Sequence, residues 1–364
     1  MKIAEIIEHL ETIAPPAFQE SYDNSGLLTG LPQWECTGLL TTLDATEEVI
    51  LEAKQKNCNL VIAHHPIIFR GLKKINGSNY VERAVITAIK NDIAIYAIHT
   101  NLDNVLQGVS GKMAGMLGLT NTSILSFKEN TLSKLFTFVP LESAEDVRKA
   151  IFNAGGGNIG KYSQCSFNMD GTGTFMAKEG ADPYIGEVGK PTSTREMKIE
   201  VIFPAYLEAK VVQAMLDAHP YEEVAYDVVA LSNTYQYSGA GVIAELAEQM
   251  DEHGFLSRLK EVFRLKVIRH TPLLNRPVRK VAICGGAGSS LIKSALAAQA
   301  DFFVTADVKY HEFFDAEGRM VIADIGHFES EQFTIDLLYD ILLQKFPTFA
   351  VLKSGTKTNP VNYF

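Results

Sequence analysis

The chain has 364 residues, 46% of them hydrophobic and 21% charged, which suits roughly two or three packed domains and excludes a disordered or fibrous chain. Acidic residues outnumber basic ones by 43 to 33, a formal charge of −10, and no dense Lys/Arg run interrupts the sequence. Nucleic acid is therefore not an expected partner, a small basic groove aside.

In chain order, the first element is a helix over residues 2–13, with Ile3, Ile6, Ile7 and Leu10 on one face. Its interspersed glutamates mark an amphipathic helix and not a signal peptide. Pro15 and Pro16 end it, and a loop of turn formers follows, Asp23-Asn24-Ser25-Gly26-Leu27. Residues 38–43 read as a strand, 47–56 as a helix, 60–63 as a short buried strand, 80–91 as a helix and 93–98 as a strand. Strands alternating with helices predict βαβ units and a parallel sheet. No run of about 18 apolar residues occurs, so no membrane is expected as a partner and the cytoplasm is the expected address.

The middle of the chain has another rhythm. Strands are expected at 135–140, 164–169, 173–177, 198–203 and 224–231, with helices at 143–154 and 205–219. That is close to βαββαβ, the ferredoxin-like pattern, with an extra strand. Gly/Thr/Ser/Pro-rich stretches at 155–160 and 189–194 read as its loops, and Gly155-Gly156-Gly157 as a flexible turn after a helix. The βαβ rhythm then returns, with strands at 280–284, 302–305 and 320–324, helices at 290–299 and 329–345, and a tight loop at 285–288. The fold class expected is α/β. A discontinuous host of βαβ units around a mostly parallel sheet spans 1–126 and 236–364. A ferredoxin-like α+β domain is inserted at 127–235. Three domains in series is the alternative.

Three segments concentrate the metal-ligating residue types. They are Ile62-Ala63-His64-His65-Pro66, Ile98-His99-Thr100-Asn101-Leu102-Asp103 and Gly326-His327-Phe328-Glu329-Ser330-Glu331. Each follows an apolar strand, and ligands of open α/β sheets gather at the carboxyl ends of strands. His64 and His65 would point to opposite faces of a regular strand. Where Pro66 stops regular continuation, both can reach one pocket, and they suit two ions, one each. His327 and Glu331 stand at i and i+4 and share a helix face. A carboxylate can bridge two ions, and Asp103 adds another oxygen. The set is mixed N/O without thiolate, which suits zinc, iron, manganese, cobalt or nickel without choosing among them, and two divalent ions, zinc foremost, are the expected cofactors. A satisfied polar histidine or a plain helix-surface pair is the bland reading of each residue alone. His99 reads as the group that moves a proton, a weak ligand or a more distant supporting residue being the alternatives. The four cysteines, Cys36, Cys58, Cys165 and Cys284, are scattered without a CxxC pair, so no thiolate zinc site or disulfide framework is expected.

On these residues the chain resembles the GTP cyclohydrolase I type 2 homologue family, also called Nif-three-like. The matching motifs are Asp23-Asn24-Ser25-Gly26-Leu27, His64-His65-Pro66, His99-Thr100-Asn101-Leu102-Asp103 and Gly326-His327-Phe328-Glu329-Ser330-Glu331. The resemblance implies a dinuclear divalent metal centre held by His64, His65, Asp103, His327 and Glu331, with Glu331 bridging. It also implies a toroidal homohexamer with the sites facing an internal cavity. The middle segment, most clearly His219-Pro220-Tyr221-Glu222-Glu223-Val224-Ala225-Tyr226-Asp227, resembles the insert of longer family members, which is similar in fold to the PII and CutA regulatory proteins.

Two further tracts stay open. Gly285-Gly286-Ala287-Gly288-Ser289-Ser290 is either a plain strand-to-helix turn or a phosphate holder. Thr305-Ala306-Asp307-Val308-Lys309-Tyr310-His311 either supports the ligands and touches substrate or is ordinary polar surface. The leading expectation is a metal-dependent hydrolase of a small nucleotide-like or phosphorylated substrate. A non-catalytic metal-binding or regulatory protein, with a ligand-sensing insert, is the alternative.

Overall fold

Short runs that are apolar at every position belong in strands buried on both faces. Leu60–Ala63 and Ala94–Ala97 are such runs, and the strands Leu39–Asp44, Leu60–His65 and Ala94–Ala97, buried at nearly every position, pair in parallel with Leu60–His65 in the middle. The computed structural model describes residues 1–364. They divide into one unit of residues 1–126 and 237–364 and another of residues 127–236.

In the first unit, five strands stand in the order Gly26–Thr29, Ala94–Ala97, Leu60–His65, Leu39–Asp44, Val351–Lys353. Only Gly26–Thr29, at one edge, runs antiparallel. Thr46 and Asn79 start the helices Glu47–Gln55 and Tyr80–Lys90, their side chains accepting from the Val49 and Glu82 N–H groups. Val49, Ile50 and Ala53 of the first helix bury against Val61 and Ile95. Each large aliphatic side chain so buried contributes about 1.5–3 kcal/mol.

A second sheet of the same unit has the order Arg269–His270, Val321–Asp324, Phe302–Ala306, Val278–Ala287, Gly239–Met250, Thr120–Phe127. Val278–Ala287, Phe302–Ala306 and Val321–Asp324 are parallel, while Arg269–His270 and Gly239–Met250 flank them antiparallel. The class is α/β, as the sequence indicates. The parallel pairing, however, is shared between two sheets, because Val351–Lys353 extends the first and antiparallel strands extend the second.

Two local expectations change. The helix expected at 329–345 is broken into His327–Glu331 and Thr334–Lys345. At the break Phe333 turns toward Phe263 in the core, with ring centroids 6.2 Å apart. The tight loop expected at 285–288 begins instead as strand, which runs on to Ala287 with a register shift after Ile283.

The second unit follows the order βαββαβ: Leu132–Pro140, Ala144–Asn153, Phe167–Met176, Pro191–Pro204, Glu208–Ala218 and Tyr226–Leu231. Its four strands stand in the order Phe167–Met176, Pro191–Pro204, Leu132–Pro140, Tyr226–Leu231, antiparallel throughout. The two strands expected at 164–169 and 173–177 are one, so the extra strand disappears. Residues 191–194, expected in a loop, belong to a strand as well. The Asp170-Gly171-Thr172-Gly173 tract has low strand propensity, but unbroken pairing with Thr194–Met197 holds it extended. No helix is long and apolar enough to cross a membrane.

Candidate metal centre

The Leu60–His65 strand ends on the two histidines, and Pro66 stops it there. The two rings turn toward one another, 5.0 Å between centroids. His64 is fully buried, with Nδ1 2.9 Å from the Ile98 carbonyl oxygen. His65 Nδ1 lies 2.8 Å from Asp44 Oδ1, and Asp44 is its register partner on the neighbouring strand. His99 follows the Ala94–Ala97 strand, with Nδ1 2.8 Å from Asp23 Oδ1. Asp103 closes the single helical turn Thr100–Asp103 that begins just after it. Gly326, at φ +93°, turns the chain from the Val321–Asp324 strand into the short helix carrying His327 and Glu331. His327 Nδ1 lies 2.7 Å from Asp307 Oδ2.

Each of the four imidazoles therefore engages its Nδ1 with a carboxylate or carbonyl oxygen, which fixes the ring and leaves Nε2 facing the cluster. The Glu331 oxygens divide among them. Oε2 lies 2.9 Å from His65 Nε2 and 3.1 Å from His327 Nε2. Oε1 lies 3.8 Å from His64 Nε2, which is in turn 3.7 Å from Asp103 Oδ1. His64 Nε2 and Asp103 Oδ1 are buried and have no hydrogen-bond partner. Such orphans are rare in folded proteins. Their spacing is too long for a hydrogen bond and close to the roughly 3.4 Å that two ligands of one tetrahedral ion span. His64, His65 and His99 form one group with ligand atoms within 4.8 Å of one another, and His65, His327 and Glu331 form a second. The donor set thus fits cations. All six residues singled out in the sequence converge here.

The model of the family Duf34/NIF3 (NGG1p interacting factor 3) matches residues 1–360. The chain belongs to this family. A relative from Halalkalibacterium halodurans, called GTP cyclohydrolase 1 type 2 homolog, is 39% identical over the whole of both chains. One of the same name from Bacillus subtilis is 38% identical, covering 89% of this chain and 87% of its own. The crystal structure of a Bacillus cereus protein related to NIF3 superposes with a TM-score of 0.87 at 39% identity, over 100% of this chain and 99% of that one.

The electrostatics of this family member's cluster are those of a site built for positive charge. Burial works against the Glu331 carboxylate, yet His327, His64 and His65 together hold it well below the usual range. Burial and then Glu331 push Asp103 well above it. Burial keeps His64 neutral. Burial opposes charge on His65 and His327 too, but Asp44 and Glu331 raise the first to about 10, and Glu331 and Asp307 raise the second to about 9. Without metal, these two imidazoliums neutralise Glu331. A cation entering must displace their protons.

A pH dependence follows. A raised histidine pKa stabilises the fold fully below its unfolded value, about 6.5. That contribution is lost as pH rises through the folded values of about 9 and about 10. Metal-stripped protein should therefore melt at progressively lower temperature from pH 6.5 upward, whereas added divalent metal should bind more tightly over the same range. Melting curves with and without chelator check this. A stripped protein whose melting temperature is flat from pH 6.5 to 10 would contradict it.

Sequence reasoning missed Asp44, which carries no motif; its position opposite His65 on the adjacent strand was the available signal. Asp307 resolves the tract at 305–311, since it orients His327. The glycine tract at 285–290 does not hold phosphate through its first amides. The Gly285 N–H donates to Ser110 Oγ and the Gly286 N–H to Ser330 Oγ. Cys284 stays a thiol, because burial, Asp103 and Glu331 all push its pKa up.

Proposed function

We propose that the chain is a dinuclear divalent-metal hydrolase acting on a small phosphorylated or nucleotide-like substrate. The division of the two Glu331 oxygens supports this most directly, with Oε2 on His65 and His327 and Oε1 toward His64, whose Nε2 also faces Asp103. In this reading His64, His65, Asp103, His327 and Glu331 hold two divalent ions, zinc first among the candidates. When bound, such ions supply Lewis acidity and a nucleophile from water near neutral pH. The chain's own part is to fix the ligands and the substrate. Asp44 and Asp307 hold the His65 and His327 rings, and Asp23 holds His99 Nδ1, leaving its Nε2 to move a proton. A cavity of about 930 Å³ opens beside His65 and is lined by Phe69, Arg70, Lys73 and Lys74. Its three cations suit a phosphate and its ring a base or other apolar group.

The test is turnover of a panel of nucleotides and phosphoesters, GTP included because the relatives' name points to it. Activity should require metal and vanish in His65→Ala and Asp103→Ala. A panel with no metal-dependent turnover would leave the alternative, a non-catalytic metal-binding or regulatory protein. The same reading carries a toroidal homohexamer, tested by light scattering, and a cytoplasmic address.

The proposal includes residues 127–235 as an inserted domain, which predicts that they can be removed. Thr120 Oγ1 donates to the Glu245 carbonyl, and Leu125 packs beside Gly241, so the flanking strands bring the cut ends together. A short Gly/Ser linker in place of 127–235 should leave a folded protein with unchanged metal per chain. Insoluble or metal-free products from several linkers would favour domains in series.

A further inference from the structure

The second unit holds a cavity of about 730 Å³ that takes no part in the metal centre. Pairing with Pro191–Pro204 puts Gly171 opposite Glu196 and Gly173 opposite Thr194, on the wall of this cavity. At its base Glu196 is only 8% exposed. Its Oε1 accepts a 2.8 Å hydrogen bond from the Tyr221 hydroxyl. Nothing in the chain neutralises it. Arg195, next to it in the strand, reaches Asp170 at 3.5 Å, and Lys198, which lines the cavity along with Lys178, gives its Nζ to Glu200 at 2.8 Å and lies over the Phe136 ring at 4.5 Å. His219 is no counter-ion either. Its Nδ1 accepts from the Tyr221 N–H, so Nε2 carries the proton and meets the Phe138 carbonyl, and burial lowers its pKa.

Burying a carboxylate without a counter-ion is unfavourable, and a bound cation relieves that cost. Here the carboxylate is also surrounded by aromatic groups. Tyr221 lies 6.3 Å from Phe175 and 6.1 Å from Tyr184, centroid to centroid. Ring faces attract cations, and more strongly where water is excluded. Burial and Glu196 push the Tyr221 phenol up, so it remains a donor to the carboxylate and adds no charge. Glycine at 173 keeps the other oxygen clear, since a Cβ there would stand 2.1 Å from Glu196 Oε2. The segment Tyr221–Glu223 thus builds one wall of a pocket that pairs a buried acid with an aromatic lining.

We propose that this cavity binds a small organic cation, an amidinium, guanidinium or protonated amine with an apolar body, through Glu196 and the rings of Phe175, Tyr184 and Tyr221. The charge meets the uncompensated carboxylate, and the apolar body replaces water against the rings. A neutral molecule of the same shape gains only the second interaction.

Benzamidine and its neutral isostere benzamide are suitable probes on the full-length protein, followed by ligand-observed NMR and calorimetry. Benzamidine should bind and benzamide should bind about tenfold more weakly or not at all, the difference of one charge-assisted hydrogen-bonded pair. Glu196→Gln keeps the shape and should remove the preference. Gly173→Ala should also weaken benzamidine by displacing the carboxylate, which keeps the test open if the first variant folds poorly. Chelator should leave binding unchanged, so failure of the metal reading and failure of this one are separable. Equal binding of both probes, no binding of either, or full benzamidine affinity in Glu196→Gln would each overturn the proposal.

Discussion

Glu331→Gln should bind about half the metal of the parent protein or less and lose any hydrolytic activity. The substitution keeps size and shape and removes the charge that three imidazoles converge on. An amide offers one oxygen, and its nitrogen is not a useful ligand, so it cannot serve two ions. His327→Ala is the contrasting change. It removes a ligand from the Oε2 side only, while His64, Asp103 and Glu331 Oε1 keep their arrangement. One ion should then persist. Metal per chain by elemental analysis of folded protein separates the two. The Gln protein has a second signature. Its His65 and His327 lose the carboxylate that helps raise them to about 10 and about 9, so both should titrate closer to the ordinary value. Were His327–Glu331 only an i,i+4 helix pair, worth about 0.2–0.5 kcal/mol, neither variant would change metal content. Two ions per chain in Glu331→Gln would remove the bridging role.

The candidate ligands were legible because strand ends are. The apolar run Leu60–Ala63 locates a buried strand, Pro66 ends it, and two histidines lie between. The i,i+4 pair of His327 and Glu331 needed only helical periodicity. What the sequence did not disclose is relational. Asp44 is one aspartate after an apolar strand until the register sets it opposite His65. The division into two sheets depends on Gly239–Met250 and Thr120–Phe127, which pair antiparallel beside the second set of parallel strands. Neither belongs to the βαβ rhythm. The Gly171–Gly173 tract looked like a break because glycine propensity is local, whereas the pairing that holds it is long-range. Gly285 and Gly286 resemble a phosphate loop in composition, but their amides are bonded to serine hydroxyls that lie 175 and 44 residues away in sequence.

Gly286→Ala should lower metal at the proposed centre without replacing any of its candidate ligands. Gly286 has φ +64°, and a left-handed backbone costs an L-residue about 1–2 kcal/mol. The larger effect is steric. A Cβ at 286 would stand 2.2 Å from Glu331 Oε1 and 3.5 Å from His327 Cε1. The carboxylate has nowhere to retreat, because Oε2 is held by His65 and His327 and the helix is tied down by the Gly286 N–H donating to Ser330 Oγ at 3.0 Å. Either the Oε1 side loses its oxygen or the short helix moves off the strand, and both outcomes lower bound metal. Gly115→Ala is the control. It lies in the helix Val109–Met116 with open space where its Cβ would go. It should leave metal unchanged and stabilise the fold by about 0.4–1 kcal/mol. Metal per chain and the denaturant midpoint of both variants decide the matter. A Gly286→Ala protein with full metal and an unshifted midpoint would mean that Glu331 does not sit against this strand, and the two-sided carboxylate would go with it.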